Sequence, residues 1–104
     1  MSVGVLRALG LCKRAGALIS GTPMICDALR DGKRKPLIVF MACDVSEGTK
    51  KKLTDKCAFY ETRLVTLAAG GEDLAKAVGK TGFVASVAVT DQNLAELVKK
   101  SLGE

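Results

Sequence analysis

The chain has 104 residues, of which 48% are hydrophobic and 26% are charged, and its net charge at neutral pH is +5. This length and composition are those of one ordinary soluble domain that buries a core without disulfides or metal. The positive charge favours a polyanionic partner and is local, because residues 1–56 carry a net charge of +6 and residues 57–104 a net charge of −1.

The first helix is predicted over residues 2–15, where apolar residues recur at helical spacing. This apolar stripe consists of Val5, Leu6, Leu9 and Cys12. A short strand is predicted at residues 17–20. A second helix follows, for which Thr22 is the expected N-cap, Pro23 suits the first helical position and Gly32 marks the C-terminal end.

A continuous apolar run at residues 36–43 predicts a central strand that is covered on both faces. The later elements are predicted as a helix at residues 46–60, a strand at 63–67, a loop at 68–71, a short helix at 72–78 and a buried strand at 83–90. The last helix is capped by Asp91, and its apolar stripe consists of Leu94, Leu97, Val98 and Leu102. This alternation of strands and helices predicts a single-domain, three-layer α/β/α sandwich over residues 1–104.

The sequence shows neither a targeting segment nor a membrane span. Residues 1–7 lack the basic head, long apolar run and cleavage site of a secretory signal. The longest apolar run, at residues 36–43, is far too short to cross a bilayer. We therefore expect a cytoplasmic protein that has no membrane partner.

Patterns for catalysis and for metal binding are missing from the sequence. The chain has no His, which is the commonest general base, and it has no P-loop and no GxGxxG motif after a strand. No two cysteines form a CxxC pair, so we interpret all four as small buried apolar residues. These cysteines are Cys12, Cys26, Cys43 and Cys57. The sequence predicts a protein that is not an enzyme and that holds no metal and no cofactor.

Basic residues cluster in three places: at residues 13–14, at residues 33–35 in the loop before the central strand, and at residues 50–52 with Lys56 on the third helix. The loop cluster is the strongest candidate for binding phosphate, because loops carry function on rigid scaffolds. Three consecutive lysines splay by about 100° each around a helix, so residues 50–52 suit a solvated face. The helix start at residues 21–23 offers free backbone N–H groups, which suit either a phosphate or simple capping.

Short motifs run through nearly the whole chain in order, and the block at residues 51–57 is the most specific of them. The motifs are Leu9-Gly10-Leu11 with Arg14-Ala15, Ser20-Gly21, Asp44-Val45-Ser46 with Thr49, Lys51-Lys52, Thr54-Asp55-Lys56-Cys57, Gly79-Lys80 and Val87-Ala88-Val89-Thr90-Asp91. With these motifs the chain resembles the ribosomal protein L-seven-Ae superfamily of RNA-binding proteins. Within that superfamily it looks most like the bacterial YlxQ-type branch of ribosome-associated proteins.

The resemblance implies a four-stranded mixed sheet with strand order 1-4-2-3. It also implies a protein that binds structured RNA, with ribosomal RNA or the ribosome as the expected partner. We expect the chain to be a monomer in isolation. Many members bind kink-turns through the start of the second helix, the end of the central strand and the loop before the last strand. Together with the basic clusters, these segments give the candidate RNA-binding residues Lys13, Arg14, Gly21, Thr22, Met24, Lys33, Arg34, Lys35, Asp44, Val45, Thr81, Gly82 and Phe83.

The second helix departs from that of the kink-turn readers, which begins Gly-x-Asn-Glu-x-x-Lys. Pro23 replaces the Asn, Met24 the Glu and Asp27 the Lys, so hydrogen bonds to base edges are lost and Asp27 repels phosphate. A further basic position before the fourth helix is occupied here by Gly71. We therefore predict RNA binding with weak affinity for kink-turns. The alternative is a protein-interaction module on the same fold that has lost RNA binding.

Overall fold

In a computed structural model that describes residues 2–103, five helices alternate with four strands. The elements are α1 (Ser2–Arg14), β1 (Leu18–Ser20), α2 (Thr22–Asp31), β2 (Ile38–Met41), α3 (Glu47–Phe59), β3 (Arg63–Thr66), α4 (Gly71–Ala77), β4 (Ser86–Val89) and α5 (Gln92–Ser101). The predicted order of helices and strands is confirmed. Gly32 ends α2 as expected, in a left-handed conformation with φ of 71°.

The four strands form one mixed sheet in the order β1-β4-β2-β3. Strand β4 is antiparallel to β1 and β2, whereas β3 is parallel to β2. This is the topology that the resemblance implies. The register places Ser20, Met41, Thr66 and Ser86 at one end of the sheet, which we call the upper end. The opposite end, where β1, β2 and β3 begin, is the lower end.

Helices cover both faces of the sheet, as the uninterrupted apolar run of the central strand predicts. Phe40 of β2 packs into the core under α1, α4 and α5. Val39, its neighbour in the strand, packs on the other face with Ile25 of α2 and Leu53 of α3. All residues of β2 and β4 are buried, so these two strands carry the core. None of the helices described between residues 2 and 103 has the length and apolarity that crossing a membrane requires.

The start of α2 differs from the prediction. Gly21 occupies the N-cap position with φ of 98° and ψ of 135°, and Thr22 is already helical. The Thr22 hydroxyl hydrogen-bonds the Ser86 hydroxyl of β4 at 2.8 Å instead of capping the helix. The prediction that Thr22 is the N-cap was therefore wrong. A glycine is needed for the sharp turn from β1 into α2, because other residues rarely adopt this φ.

The last strand is shorter than predicted. Strand β4 begins at Ser86, and the residues before it form a loop in which Gly82 has φ of 84°. Phe83, expected inside a buried strand, has half of its surface exposed. The positive φ of Gly82 breaks the extended conformation, so the apolar residues that follow it cannot all join the ladder.

Three smaller expectations were also wrong. Leu97 is exposed on α5, because at about 100° per residue the buried Ala95 and Val98 share a helix face with Leu94 and Leu102 that leaves Leu97 to one side. Gly71 is the first residue of α4 rather than part of the preceding loop. Among the cysteines, Cys12 and Cys57 are buried, whereas Cys26 is half-buried and Cys43 is exposed because it follows the end of β2.

Candidate functional site

Three segments that the resemblance links to RNA meet at the upper end of the sheet. The Gly21 amide donates to the Ser86 carbonyl at 2.9 Å, and the Ala42 amide donates to the Ala85 carbonyl at 2.8 Å. Together with the hydroxyl pair of Thr22 and Ser86, these bonds continue the sheet ladder beyond the strands. They fix the start of α2, the segment after β2 and the loop before β4 relative to one another. We call residues 21–24, 44–45 and 81–83 the upper-end surface.

Asp44 has a structural partner within this surface. Its Oδ1 atom accepts a hydrogen bond from the Gly71 amide at 2.9 Å. Gly70, the N-cap of α4, has no side chain with which to satisfy the first amides of the helix. A carboxylate from the segment after β2 does so instead, where the helix dipole also favours a negative charge. Asp44 therefore joins the segment after β2 to α4.

Phe83 lies against the start of the same helix. A Cβ atom built on Gly71 would be only 2.2 Å from Cε2 of the Phe83 ring, so the ring occupies the space that a side chain would need. The Val84 amide also donates to the Gly71 carbonyl at 3.0 Å. These contacts hold the loop before β4 in place while 51% of the Phe83 surface stays exposed. With the ring in this position, there is no room at residue 71 for the basic side chain that the kink-turn readers carry there.

The upper-end surface is apolar rather than basic. Met24 is 60% exposed at the first turn of α2, and Val45, in the segment after β2, is half-buried against the core. No Lys or Arg occurs in residues 21–24, 44–45 and 81–83. The exposed sulfur of Met24 and the ring of Phe83 are suited to packing against bases. The surface has no positively charged side chain with which to neutralise phosphates.

Two of the basic clusters lie together at the lower end. Residues 13–14 end α1 just before β1 begins, and residues 33–35 precede β2. The Arg34 guanidinium donates to the Gly16 carbonyl, which joins the two clusters. We call residues 13–14 and 33–35 the lower basic cluster. The four residues of β4, roughly 13 Å of extended strand, span the distance between the two ends of the sheet. A cleft along β1 and α2 links the lower basic cluster to the upper-end surface, because Met24, Lys33 and Arg34 all line it.

The candidate RNA-binding residues taken from the sequence did not include Gly71 and Ser86, which organise the upper-end surface. Both make their contacts across the fold: Ser86 with Thr22, and Gly71 with Asp44 and Phe83. The pair Gly70-Gly71 before an acidic helix start was the available signal, since two adjacent glycines suit a close backbone approach.

The thiols of the two buried cysteines are held in their protonated form. Burial raises the pKa of Cys57 to about 11, and the nearby Cys26 thiol adds to the rise. Burial also raises the pKa of Cys12, with Asp91 adding to the rise. A protonated thiol is neither a nucleophile nor a metal ligand. Within residues 2–103, no group of three or more Cys, Asp or Glu side chains is placed to hold a metal ion.

Comparison with known proteins identifies similar chains. The sequence model of the ribosomal protein L7Ae/L30e/S12e/Gadd45 family matches residues 4–99. The chain is 37% identical over 92 residues to an RNA-binding protein YlxQ of Enterococcus faecium, covering 88% of this chain and 84% of the relative. It is 36% identical over 87 residues to an RNA-binding protein YlxQ of Bacillus subtilis (strain 168), covering 84% of this chain and 83% of the relative.

Solved structures share the fold over nearly the full chain. A protein with unknown function from Bacillus halodurans C superimposes with a TM-score of 0.84 at 28% identity, covering 96% of this chain and 97% of that one. A 15.5kD RNA binding protein of Giardia lamblia superimposes with a TM-score of 0.78 at 16% identity, covering 98% of this chain and 84% of that one. At this lower identity the likeness concerns the fold alone.

Proposed function

The chain belongs to the ribosomal protein L7Ae/L30e/S12e/Gadd45 family, and from that premise we propose that it binds structured RNA and catalyses no reaction. Two bacterial relatives of similar length carry the name RNA-binding protein, which supports the proposal. The observation that carries it is the convergence of three segments, linked to RNA by family resemblance, into one ordered surface at the upper end.

The two ends of the sheet make different contacts with the RNA. The upper-end surface packs against bases through Phe83 and Met24, which are both more than half exposed. The lower basic cluster attracts the RNA and neutralises phosphates, because its lysines and arginines are exposed while the upper-end surface has none. Base contacts set the specificity in this arrangement, and phosphate contacts supply much of the affinity.

We extend the proposal to ribosomal RNA or the ribosome as the partner, to the bacterial cytoplasm as the compartment and to a monomer as the binding species. The resemblance to ribosome-associated proteins supports this extension. We also propose that standard kink-turns are bound weakly. Pro23 and Met24 offer no hydrogen bonds to base edges, and the Asp27 carboxylate lies on the same helix.

The experiment is a titration of fluorescent structured RNA at several salt concentrations. Replacing Phe83 by Ala is expected to weaken binding by about fivefold to more than a hundredfold, the effect of losing a stacked base, with the salt dependence unchanged. Replacing Lys33, Arg34 and Lys35 by Ala is expected to flatten the salt dependence, which should begin near a log–log slope of about −3 to −4 if about four phosphates are neutralised.

Leu97→Ala is the matched control, because Leu97 is also a large, exposed apolar residue but lies on α5. We expect it to leave RNA affinity unchanged. Circular dichroism at the titration temperature checks that each variant is folded. Equal losses for Phe83→Ala and Leu97→Ala would contradict the assignment of the upper-end surface. Failure to retain any cellular RNA at low salt would favour the protein-interaction module instead.

A further inference from the structure

A groove runs between α2 and α3 on one face of the sheet. Both helices begin at the upper end, because the strands that precede them, β1 and β2, end there. The groove therefore leads from the upper end toward the lower end. Its walls are formed by Pro23, Cys26, Asp27 and Arg30 from α2, and by Lys52, Lys56 and Tyr60 from the side of α3.

The groove is basic. Three cations, Arg30, Lys52 and Lys56, face one carboxylate, that of Asp27, which leaves a net charge of +2. Asp27 and Arg30 form an ion pair at 2.9 Å, but both side chains are more than half exposed, so water and salt screen the pair. Within residues 2–103, neither Lys52 nor Lys56 is in an ion pair.

The lysines of α3 therefore do not all line the groove. Lys51 points away from the groove and pairs with Asp55 at 3.2 Å. Lys52 and Lys56 are one helical turn apart, about 6 Å along the axis, and both line the groove. The two groove lysines form a short row of positive charge that the sequence run of three lysines does not reveal.

An exposed aromatic ring lies beside the end of the groove that is nearer the lower end of the sheet. Phe59 is 77% exposed, the largest value among the large apolar side chains whose burial the structure describes. Its ring meets the ring of Tyr60 edge-on, with centroids 4.9 Å apart and an interplanar angle of 82°. Tyr60 itself lines the groove, so it braces the Phe59 ring next to the row of cations.

We propose that the groove between α2 and α3 binds a single-stranded segment of RNA. Arg30, Lys52 and Lys56 contact its phosphates, and Phe59 stacks on one of its bases. A basic groove that follows the backbone and an aromatic face for the bases are the two features that single-strand binding needs. An acidic protein segment would use the cations but would leave the aromatic ring without a role.

This inference rests on the proposed RNA binding and extends it. Pro23 lines the groove and also belongs to the upper-end surface, so the two sites are contiguous. A strand that leaves a structured RNA held at the upper end therefore enters the groove directly. The preferred ligand is therefore a structured RNA with a single-stranded extension.

The test uses the full chain and a fluorescent oligouridylate of about ten nucleotides, which has no structure of its own. The groove variant replaces Lys52 and Lys56 by Ala. The matched control replaces Lys50 and Lys51 by Ala, which removes the same charge from the same helix. The groove variant is expected to lower the log–log salt slope by about 1.4, the contribution of two single-strand phosphates, whereas the control leaves the slope unchanged.

Phe59→Ala gives an independent readout. It should weaken oligouridylate binding by about fivefold or more without changing the salt slope, because stacking involves no counterions. A second RNA that forms the same stem and loop with and without a single-stranded extension completes the set. The extension should raise affinity for the unmodified chain but not for the groove variant.

Three results would overturn the inference: no binding of oligouridylate by the unmodified chain, equal losses for the groove variant and its control, or displacement of oligouridylate by polyglutamate of equal charge. The last result would assign the groove to acidic protein segments. If oligouridylate binds in the groove but no structured RNA binds, the proposed function fails and the groove stands. If structured RNA binds without any benefit from the extension, the groove assignment fails alone.

Discussion

Replacing Gly71 by Ala would displace the ring that holds the loop before β4. The added Cβ would lie 2.2, 2.4 and 2.6 Å from three carbons of the Phe83 ring, distances at which one of the two groups must move. Because 51% of the Phe83 surface is already exposed, the ring can swing into solvent while α4 stays folded. We therefore expect a folded variant with a displaced ring.

The cost follows from the surface that the ring loses. A Phe side chain buries on the order of 200 Å² when it is fully covered. About half of the Phe83 surface is covered here, so displacement returns about 100 Å² to water. At about 25 cal/mol per Å² this is about 2.5 kcal/mol, an upper value because the unfolded chain also covers some surface. The better helix propensity of Ala offsets up to about 1 kcal/mol. The free energy of unfolding should therefore fall by about 1.5–2.5 kcal/mol.

Urea denaturation of four proteins isolates the contact. The set comprises the unmodified chain, Gly71→Ala, Phe83→Ala and the double variant, which together give a double-mutant cycle. In the Phe83→Ala background no ring remains to be displaced, so Gly71→Ala should cost nothing there. The expected coupling between the two positions is about 2 kcal/mol.

Gly48→Ala is the matched control, because Gly48 lies in α3 and a Cβ built there meets nothing within 4 Å. That variant should be as stable as the unmodified chain or more stable by up to about 1 kcal/mol. An equal cost of Gly71→Ala with and without the Phe83 ring would show that the two positions are not coupled. The Gly71 requirement would then arise from the backbone of α4 rather than from the ring.

Three further predictions concern single sites. The combined change Pro23→Asn, Met24→Glu and Asp27→Lys should raise kink-turn affinity at least tenfold, at about 1–3 kcal/mol for each restored base contact, in titrations at one fixed salt concentration. Nanomolar binding by the unmodified chain would contradict it. Asp44→Ala removes the carboxylate that caps α4 and should lower the free energy of unfolding by about 1–2 kcal/mol, whereas Asp44→Asn, which keeps an acceptor oxygen, should lose less. Folding raises the pKa of the Cys57 thiol from 9.0 to about 11. As pH rises, the unfolded chain therefore loses this proton before the folded chain does. Stability should therefore fall as pH rises from about 9 to 11, and more steeply than in Cys57→Ala.

The order of the elements and most of the core can be read from local patterns in the sequence. The apolar runs of β2 and β4 predict strands that are covered on both faces, and all residues of both strands are buried. Asp91 caps α5 through the Leu94 amide at 2.9 Å, as its position before an apolar periodic segment indicates. These features depend on patterns that are local along the chain, which a single sequence displays directly.

The grouping of the candidate residues, in contrast, depends on contacts between distant parts of the chain. The Thr22 hydroxyl has a partner 64 residues away in Ser86, a contact that local capping rules cannot anticipate. Gly71 is fixed by Asp44 and Phe83, which come from two other segments. The lower basic cluster lies at the opposite end of the sheet from the upper-end surface, and the two are linked only by the cleft that Met24, Lys33 and Arg34 line in the described part of the chain. Strand order and direction decide which loops meet at which end, because each strand carries the chain from one end of the sheet to the other.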